Sequence, residues 1–382
     1  MSQVSDPITQ FLKENSGYLR NPDENDNRLF SKGRKIEVVY AIVSKGIPLF
    51  RTEGVGDVSE LEINLGGKVI SVPTILPEKI QAKLRRRMLE ILRNNNDNEK
   101  LRKDILPNYE KLGFKKITTD NNGNKSWNCY VAPPTSAGGT DIGLCGYCPS
   151  CNILGSIITR NELKILESKK KKKGTAYGLK SRVVHDPAFG TATYEAAVAE
   201  LTHNKVGDGV SYTGMSLYQE SHVLPGVVFI GKLAMYDVTE LEAKLVLSSL
   251  SSISRMGGGE TKYGSVQVII LGLNASDRET VSSYDITRYV IQKIEEKLAP
   301  SEEEIKRKLA PPEEVIKLSI EYLKNIKSFK ILADPNKKID QQNIQINISS
   351  DEIVTLWARD NYNYSSAVVK YIKEVEGKSK GS

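Results

Sequence analysis

All four cysteines of this chain, Cys129, Cys145, Cys148 and Cys151, fall within 23 positions. Three of them stand in the run Cys145-Gly-Tyr-Cys148-Pro-Ser-Cys151. A Cys-x-x-Cys turn aims two sulfurs at one ion while backbone amides offset their charge, and Cys129 can close the shell from across a loop. The spacing predicts a structural Zn2+ site with four sulfur ligands. His185 is the alternative fourth ligand, giving three sulfurs and one nitrogen. An iron–sulfur site uses a similar triplet, and free buried cysteines are a third reading. A closed zinc site would stabilise the local fold and leave no open position for catalysis.

Composition narrows the class. Of the 382 residues, 39% are hydrophobic and 26% charged, which excludes a wholly disordered chain and a multi-span membrane protein. No apolar run approaches the roughly 18–20 residues of a membrane span, so no membrane partner is expected. The first twenty residues hold no signal-peptide core. Cytoplasmic residence follows as the expectation, and there clustered cysteines read as metal ligands before disulfides. Lys plus Arg is 54 against 47 Asp plus Glu, a net +7 that hints at a polyanionic partner. Three histidines leave few candidates for acid–base chemistry.

Along the chain, Ile36-Glu-Val-Val-Tyr-Ala-Ile-Val43 reads as a buried strand, preceded by Lys32, Arg34 and Lys35 and followed by a glycine-rich hairpin region. Pro77 opens a helix of about 18 residues whose buried stripe is Ile80, Leu84, Met88 and Ile91. From Glu78 to Lys103 nine basic residues face four acidic ones. That balance suits either a solvated face or a phosphate-facing surface. Lys169 to Lys173 is a mobile basic run, or a clamp ordered by a ligand. Residues 223–236 read as a strand, and Thr239 with Glu242 as the capping box of a following helix. A glycine-rich loop, 255–264, and the strand 265–271 come next. This order fits a split β-α-β sheet of RRM or ferredoxin-like type. Residues 301–326 read as a helix, and 342–348, with alternating isoleucines, as a half-buried strand.

Two segments invite chemistry. In the loop, Gly257, Gly258 and Gly259 let the backbone approach a ligand, and Arg255, Lys262 and Tyr263 supply cations and a stacking ring. It is neither a P-loop nor a dinucleotide fingerprint, because it follows a helix and leads into a strand. Arg182, His185 and Asp186 lie close in sequence, but the Asp-Pro-x-x-Gly that follows is turn chemistry. No nucleophile elbow, kinase set or His-Glu-x-x-His is present.

The cysteine knuckle leads into Asn152-Ile-Leu-Gly155. Arg182-Val-Val-His-Asp-Pro187, His222-Val-Leu-Pro-Gly226 with Phe229, Asp237-Val-Thr239 and Met256-Gly-Gly-Gly259 follow. In this order the segments resemble the backbone subunit of type I-D CRISPR effector complexes, of the RAMP superfamily, over roughly residues 30–275. The resemblance implies an α+β fold: a modified RRM/ferredoxin-like core with inserted zinc-binding, helical/lid and thumb elements. It divides into core at 30–75, a helical insertion at 76–117, a zinc-binding insertion at 118–160, a basic lid and thumb at 161–221, core at 222–275, and a C-terminal helical segment with a final core strand at 276–382. The thumb is expected within 192–220.

The resemblance further implies a non-catalytic subunit that polymerises with copies of itself along a CRISPR RNA. Such a subunit holds the sugar–phosphate backbone and leaves the spacer free to pair with target single-stranded DNA or RNA. Other subunits of the effector complex are expected partners. The RNA-facing residues are Lys32, Arg34, Lys35, Arg51, Lys171, Arg182, Arg255, Met256, Gly257, Gly258, Gly259, Lys262 and Tyr263. Related type III subunits cut target RNA with a loop aspartate, which makes Asp57 a candidate catalytic residue in a competing nuclease reading. A stand-alone zinc-containing RNA-binding protein is the third.

Overall fold

The computed structural model describes residues 6–24, 30–50, 58–131, 143–166, 176–204, 217–298, 309–342, 344 and 346–378. Strand β1, Lys35–Ser44, is buried along nearly its whole length. Its run of β-branched side chains, without polar alternation, is what a strand covered on both faces requires. The other strands of its sheet are β2 (Glu60–Asn64), β3 (Val69–Ile75), β8 (Val183–His185), β9 (Ala188–Gly190), β12 (Val228–Tyr236), β13 (Val266–Ser276) and β14 (Lys330–Ile331). Three hairpins stand outside it: β4 (Ile117–Thr119) with β5 (Lys125–Trp127), β6 (Ser156–Ile158) with β7 (Tyr177–Leu179), and β10 (Val198–Asn204) with β11 (Leu217–Val223).

The sheet order is β14-β13-β1-β12-β9-β3-β2, with β8 also on β12. Both β12 and β13 run antiparallel to β1. Helix α6 (Glu240–Ser251) joins them across it, giving a split β-α-β unit inside a mixed α+β fold. The helices around this sheet are α1 (Pro7–Glu14), α2 (Pro77–Arg93), α3 (Leu106–Leu112), α4 (Pro149–Leu154), α5 (Tyr194–Ala197), α6, α7 (Ser283–Leu298) and α8 (Pro312–Lys324). A C-terminal helical stretch, Ser350–Thr355 and Tyr362–Lys378, is interrupted by a π turn at Leu356–Asn361.

Alternate residues of β1 feed two cores. Val39, Ala41 and Val43 pack with Ile269, Leu271 and the apolar stripes of α7 and α8. Val38, Tyr40 and Ile42 pack with Phe229, Leu233, α2, α6 and the cysteine region.

Three expected elements differ. The strand at 223–236 is two elements, because Pro225 and Gly226, the latter at φ 86°, turn the chain between Val223 and Val228. The helix at 301–326 is Pro312–Lys324 among the described residues, with Pro311 as its N-cap; 301–308 lie outside them. Residues 342, 344 and 346–348 join no strand, and the last strand of the sheet is the two-residue β14. The alternation in that segment still has a cause, since Ile344, Ile346 and Ile348 pack against the core.

One buried ion pair fixes the chain across the end of β12. Glu242 is the capping-box residue of α6: it takes the Thr239 N–H at 2.9 Å and gives its own N–H to Thr239 Oγ1 at 3.2 Å. Its carboxylate is also held by both Nη atoms of Arg182, at 2.6 and 2.8 Å. Arg182 reaches the carbonyls of Asp237 (3.0 Å) and Asn152 (3.2 Å) and lies 4.5 Å over the Tyr364 ring. Burial alone would raise the Glu242 pKa, but Arg182 and then Arg20 hold it down to about 2. Replacing Arg182 by Ala leaves the buried Glu242 carboxylate with only the more distant Arg20 (3.5 Å) as a cation and is expected to cost about 3 kcal/mol in urea unfolding at pH 7. Because the folded pKa is depressed, the Glu242 contribution is complete above the ordinary value of 4.5 and fades as pH falls toward about 2. The gap between wild type and R182A should therefore narrow across that window; a gap independent of pH from 7 to 2.5 contradicts the assignment.

Candidate metal centre and nucleic-acid interface

The sulfur cluster is assembled from three local pieces. Hairpin β4–β5 ends at Trp127 and delivers Cys129; a turn opened by Gly146, at φ 78°, delivers Cys145 and Cys148; and Cys151 sits in the first turn of α4. All four Sγ atoms lie within 4.8 Å of one another and all four residues are buried. Cys129 and Cys151 are 3.6 Å apart, Cys145 and Cys151 3.9 Å. A tetrahedron with Zn–S bonds of 2.3 Å has edges of about 3.8 Å. These separations fit one tetrahedral ion and are too short for an iron–sulfur cluster to sit between. The Cys145 N–H donates to Cys129 Sγ (3.4 Å) and the Cys148 N–H to Cys145 Sγ (3.2 Å), the amide support that thiolates in a Cys-x-x-Cys turn need. Burial and the neighbouring sulfurs push the Cys145 and Cys148 thiols well up, and a bound divalent cation is what holds such groups as thiolates.

His185 is not in this group. It belongs to β8, opposite Leu233 of the main sheet. Neither ring nitrogen has a hydrogen-bond partner among the described residues, and burial lowers its pKa to about 4. The alternative of His185 as fourth ligand is therefore corrected: Cys129 supplies the fourth atom. Nor does His185 pair with Asp186, which instead accepts the Ser283 N–H at 3.0 Å and approaches Lys232 at 4.0 Å.

The glycine-rich loop is held from below. Gly258 N–H donates to Leu49 O at 2.8 Å, and Met256 N–H to Gly264 O at 2.8 Å. Gly257, at φ 96°, would place a Cβ 2.7 Å from Leu49 O, so no other residue fits there. Lys83 of α2 pairs with Glu260 at 3.0 Å. The Tyr263 ring lies edge-on to His222, with centroids 5.5 Å apart, and Met256 is buried. Arg255 and Lys262 are exposed on this fixed loop.

The basic segment before β1 turns inward. Arg34 gives Nε to Asp237 (3.0 Å) and both Nη atoms to Glu24 (3.1 and 3.2 Å). Lys32 pairs with Glu24, and Lys35 reaches Asp277 O and lies 5.3 Å from the Tyr236 ring. Asp237, at φ 47°, also takes the Lys32 N–H at 3.0 Å. Arg34 and Arg182 thus direct most of their N–H donors into the fold, Arg34 to Asp237 and Glu24 and Arg182 to Glu242 and two backbone carbonyls, which sets them apart from exposed cations open to a phosphate. Arg51, Asp57 and Lys171 lie outside the described residues. In α2, Arg85 donates to Leu154 O (2.8 Å) and Gly155 O (2.7 Å), and Arg93 to Cys129 O (2.7 Å). Two of the nine basic residues between Glu78 and Lys103 therefore secure the cysteine knuckle, a use no spacing in the sequence announces.

The purified chain is expected to carry one zinc per polypeptide by elemental analysis, and Cys148→Ser to lose it. Chelation should speed hydrogen exchange in 143–166 before β1, β12 and β13 respond. Equal protection with and without metal contradicts a structural role.

No curated protein matches the chain. Among solved structures it is similar to one described as Thermofilum pendens Csc2, at 28% identity and TM-score 0.68, covering 94% of this chain and 95% of that one. A chain of a CRISPR RNA-guided surveillance complex aligns at 9% identity and TM-score 0.42, covering 85% of this chain and 98% of that one. A family model described as Csc2 Crispr matches residues 18–360. That span includes every strand of the sheet, all four cysteines and the glycine-rich loop, and the chain belongs to the Csc2 CRISPR family.

Proposed function

We propose that this CRISPR complex subunit is a type I-D backbone protein that binds CRISPR RNA through its sugar–phosphate chain. Several copies polymerise along one guide and present the spacer to a single-stranded target. The observation that carries the reading is the glycine-rich loop: two exposed cations, Arg255 and Lys262, stand on a backbone pinned at both ends. A fixed cationic loop suits phosphates at a repeating spacing and gives no base-edge readout. On this reading the antiparallel sheet is a modified RRM core. The β10–β11 hairpin, whose ends pair from Val198↔Val223 to Asn204↔Leu217, is the stem of the thumb. The sulfur cluster is a structural zinc site and takes no part in chemistry. The +7 net charge is consistent with a polyanionic ligand in the cytoplasm.

Affinity for a guide-length RNA is expected to fall steeply with salt, the slope of log K against log[salt] being about 0.7 per phosphate held on a single strand. Replacing Arg255 and Lys262 together by Ala should flatten that slope by roughly 1–1.5 and weaken binding equally for unrelated spacers. Arg34→Ala should instead lower the unfolding midpoint and leave the slope unchanged. Binding unaffected by the double substitution, or weakened for one spacer only, overturns the loop as the RNA-facing surface.

A further inference from the structure

The sheet has an open edge that the RNA-binding reading does not use. Ser44 directs both backbone groups toward the start of β12: its N–H donates to Val227 O (2.9 Å) and its C=O accepts the Gly226 N–H (2.8 Å). On the other side of β1, Ser44 stands opposite Val266. That pair therefore exchanges no hydrogen bonds, and the alternation of an antiparallel ladder turns the backbone groups of Val266 and Val268 away from β1. Val266 N–H is taken by Ser254 O (3.0 Å). The Val266 C=O and both backbone groups of Val268 have no partner among the described residues. Strand β14 covers only Gly272 and Leu273.

This edge forms one side of a groove of about 600 Å³. The end of α6 lines it with Ser248, Ser251 and Ser252, and α2 contributes Arg87 and Ile91. Ile344, Ile346 and Ile348 line it as well. Lys45 adds a second cation, and no carboxylate among the described residues lines the space. Each cation is held by one carboxylate from outside the groove, Lys45 by Asp340 (2.6 Å) and Arg87 by Glu90 (2.8 Å). Exposed pairs of this kind exchange readily for another anion.

We propose that this groove binds an extended, acid-rich peptide segment of a neighbouring polypeptide, added as a strand on the outer edge of β13. Strand addition takes main-chain donors and acceptors at strand spacing and pockets for alternate side chains. Val266 and Val268 supply the first, and the isoleucine wall supplies the second. The two cations select carboxylates on the opposite side of the incoming strand. A nucleic acid satisfies neither the apolar wall nor the paired N–H and C=O of Val268. The inference rests on the β13 edge and stands independently of the loop at 255–264.

The test uses the full chain and an acetylated hexapeptide of alternating glutamate and valine. The expected result is saturable binding, slowed amide exchange at Val268, and at least tenfold weaker binding of two control peptides: one N-methylated at alternate amides, the other with lysine in place of glutamate. Arg87→Glu should narrow or reverse the preference between the glutamate and lysine peptides. Equal binding of the N-methylated peptide overturns strand addition. Competition by oligouridylate for the same exchange protection assigns the groove to nucleic acid and overturns the proposal. So does a Val268 amide already as protected in the free chain as its neighbour Ile269, since the chain's own segment around Ile344 to Ile348 then fills the edge.

Discussion

A carboxylate with no solvent exposure sets the frame of this protein. Glu242 is buried at the start of α6, where it caps its own helix and is gripped by Arg182. Removing either charge would strand the other in a low-dielectric interior. Arg182 also binds the Asn152 and Asp237 carbonyls, so one guanidinium joins the metal knuckle, the end of β12 and the first turn of α6. The two cations near Glu242, Arg20 and Arg182, both lie over Tyr364. Segments from both ends of the sequence thus converge on one ion pair beside the end of β12.

The metal knuckle is bound to the rest by a second buried network. Tyr147, between two of the cysteines, packs against Tyr109 at 5.3 Å and Phe114 at 4.8 Å. Its carbonyl accepts from Asn361 at 2.8 Å, and Asn361 also donates to Tyr109 Oη at 2.7 Å. Asn152 donates to Asn361 Oδ1 at 2.7 Å. Amide donors paired in an apolar interior favour one packing, because alternatives leave those buried donors unmet. The consequence is mechanical: the sulfur cluster stiffens a wedge between α2, α3 and the C-terminal helical stretch, on the same face of the sheet as α6.

Much of the candidate site was legible in residue spacing. A double Cys-x-x-Cys with a fourth cysteine upstream leaves few geometries, and the closed sulfur group follows from it. The capping box at Thr239 and Glu242 and the buried run of β1 were equally plain, because each is a local rule. The fates of the basic residues were not. Arg34, Arg85 and Arg182 look alike in sequence to Arg255 and Lys262, yet the first three are consumed by Glu24 and Asp237, by the Leu154 and Gly155 carbonyls, and by Glu242. Which cations turn inward depends on partners as far as 203 positions away, whereas Arg255 donates to the Glu260 and Thr261 carbonyls of its own loop and stays exposed. The alternating isoleucines near the C-terminus mislead for a related reason: they report burial of one side, and burial of one side does not require a ladder partner.

The sequence by itself determined the gathering of four cysteines able to hold a metal ion, the α+β character, the central strand and the place of the glycine-rich loop, since each rests on residue type at short spacing. Tertiary structure alone decided that His185 lies outside the cysteine group, which arginines turn inward, how the hairpins leave the sheet, and that part of the β13 edge has no ladder partner among the described residues. Those outcomes are set by long-range pairing of buried charges and backbone groups, whose free energies are collected only when segments distant in sequence meet.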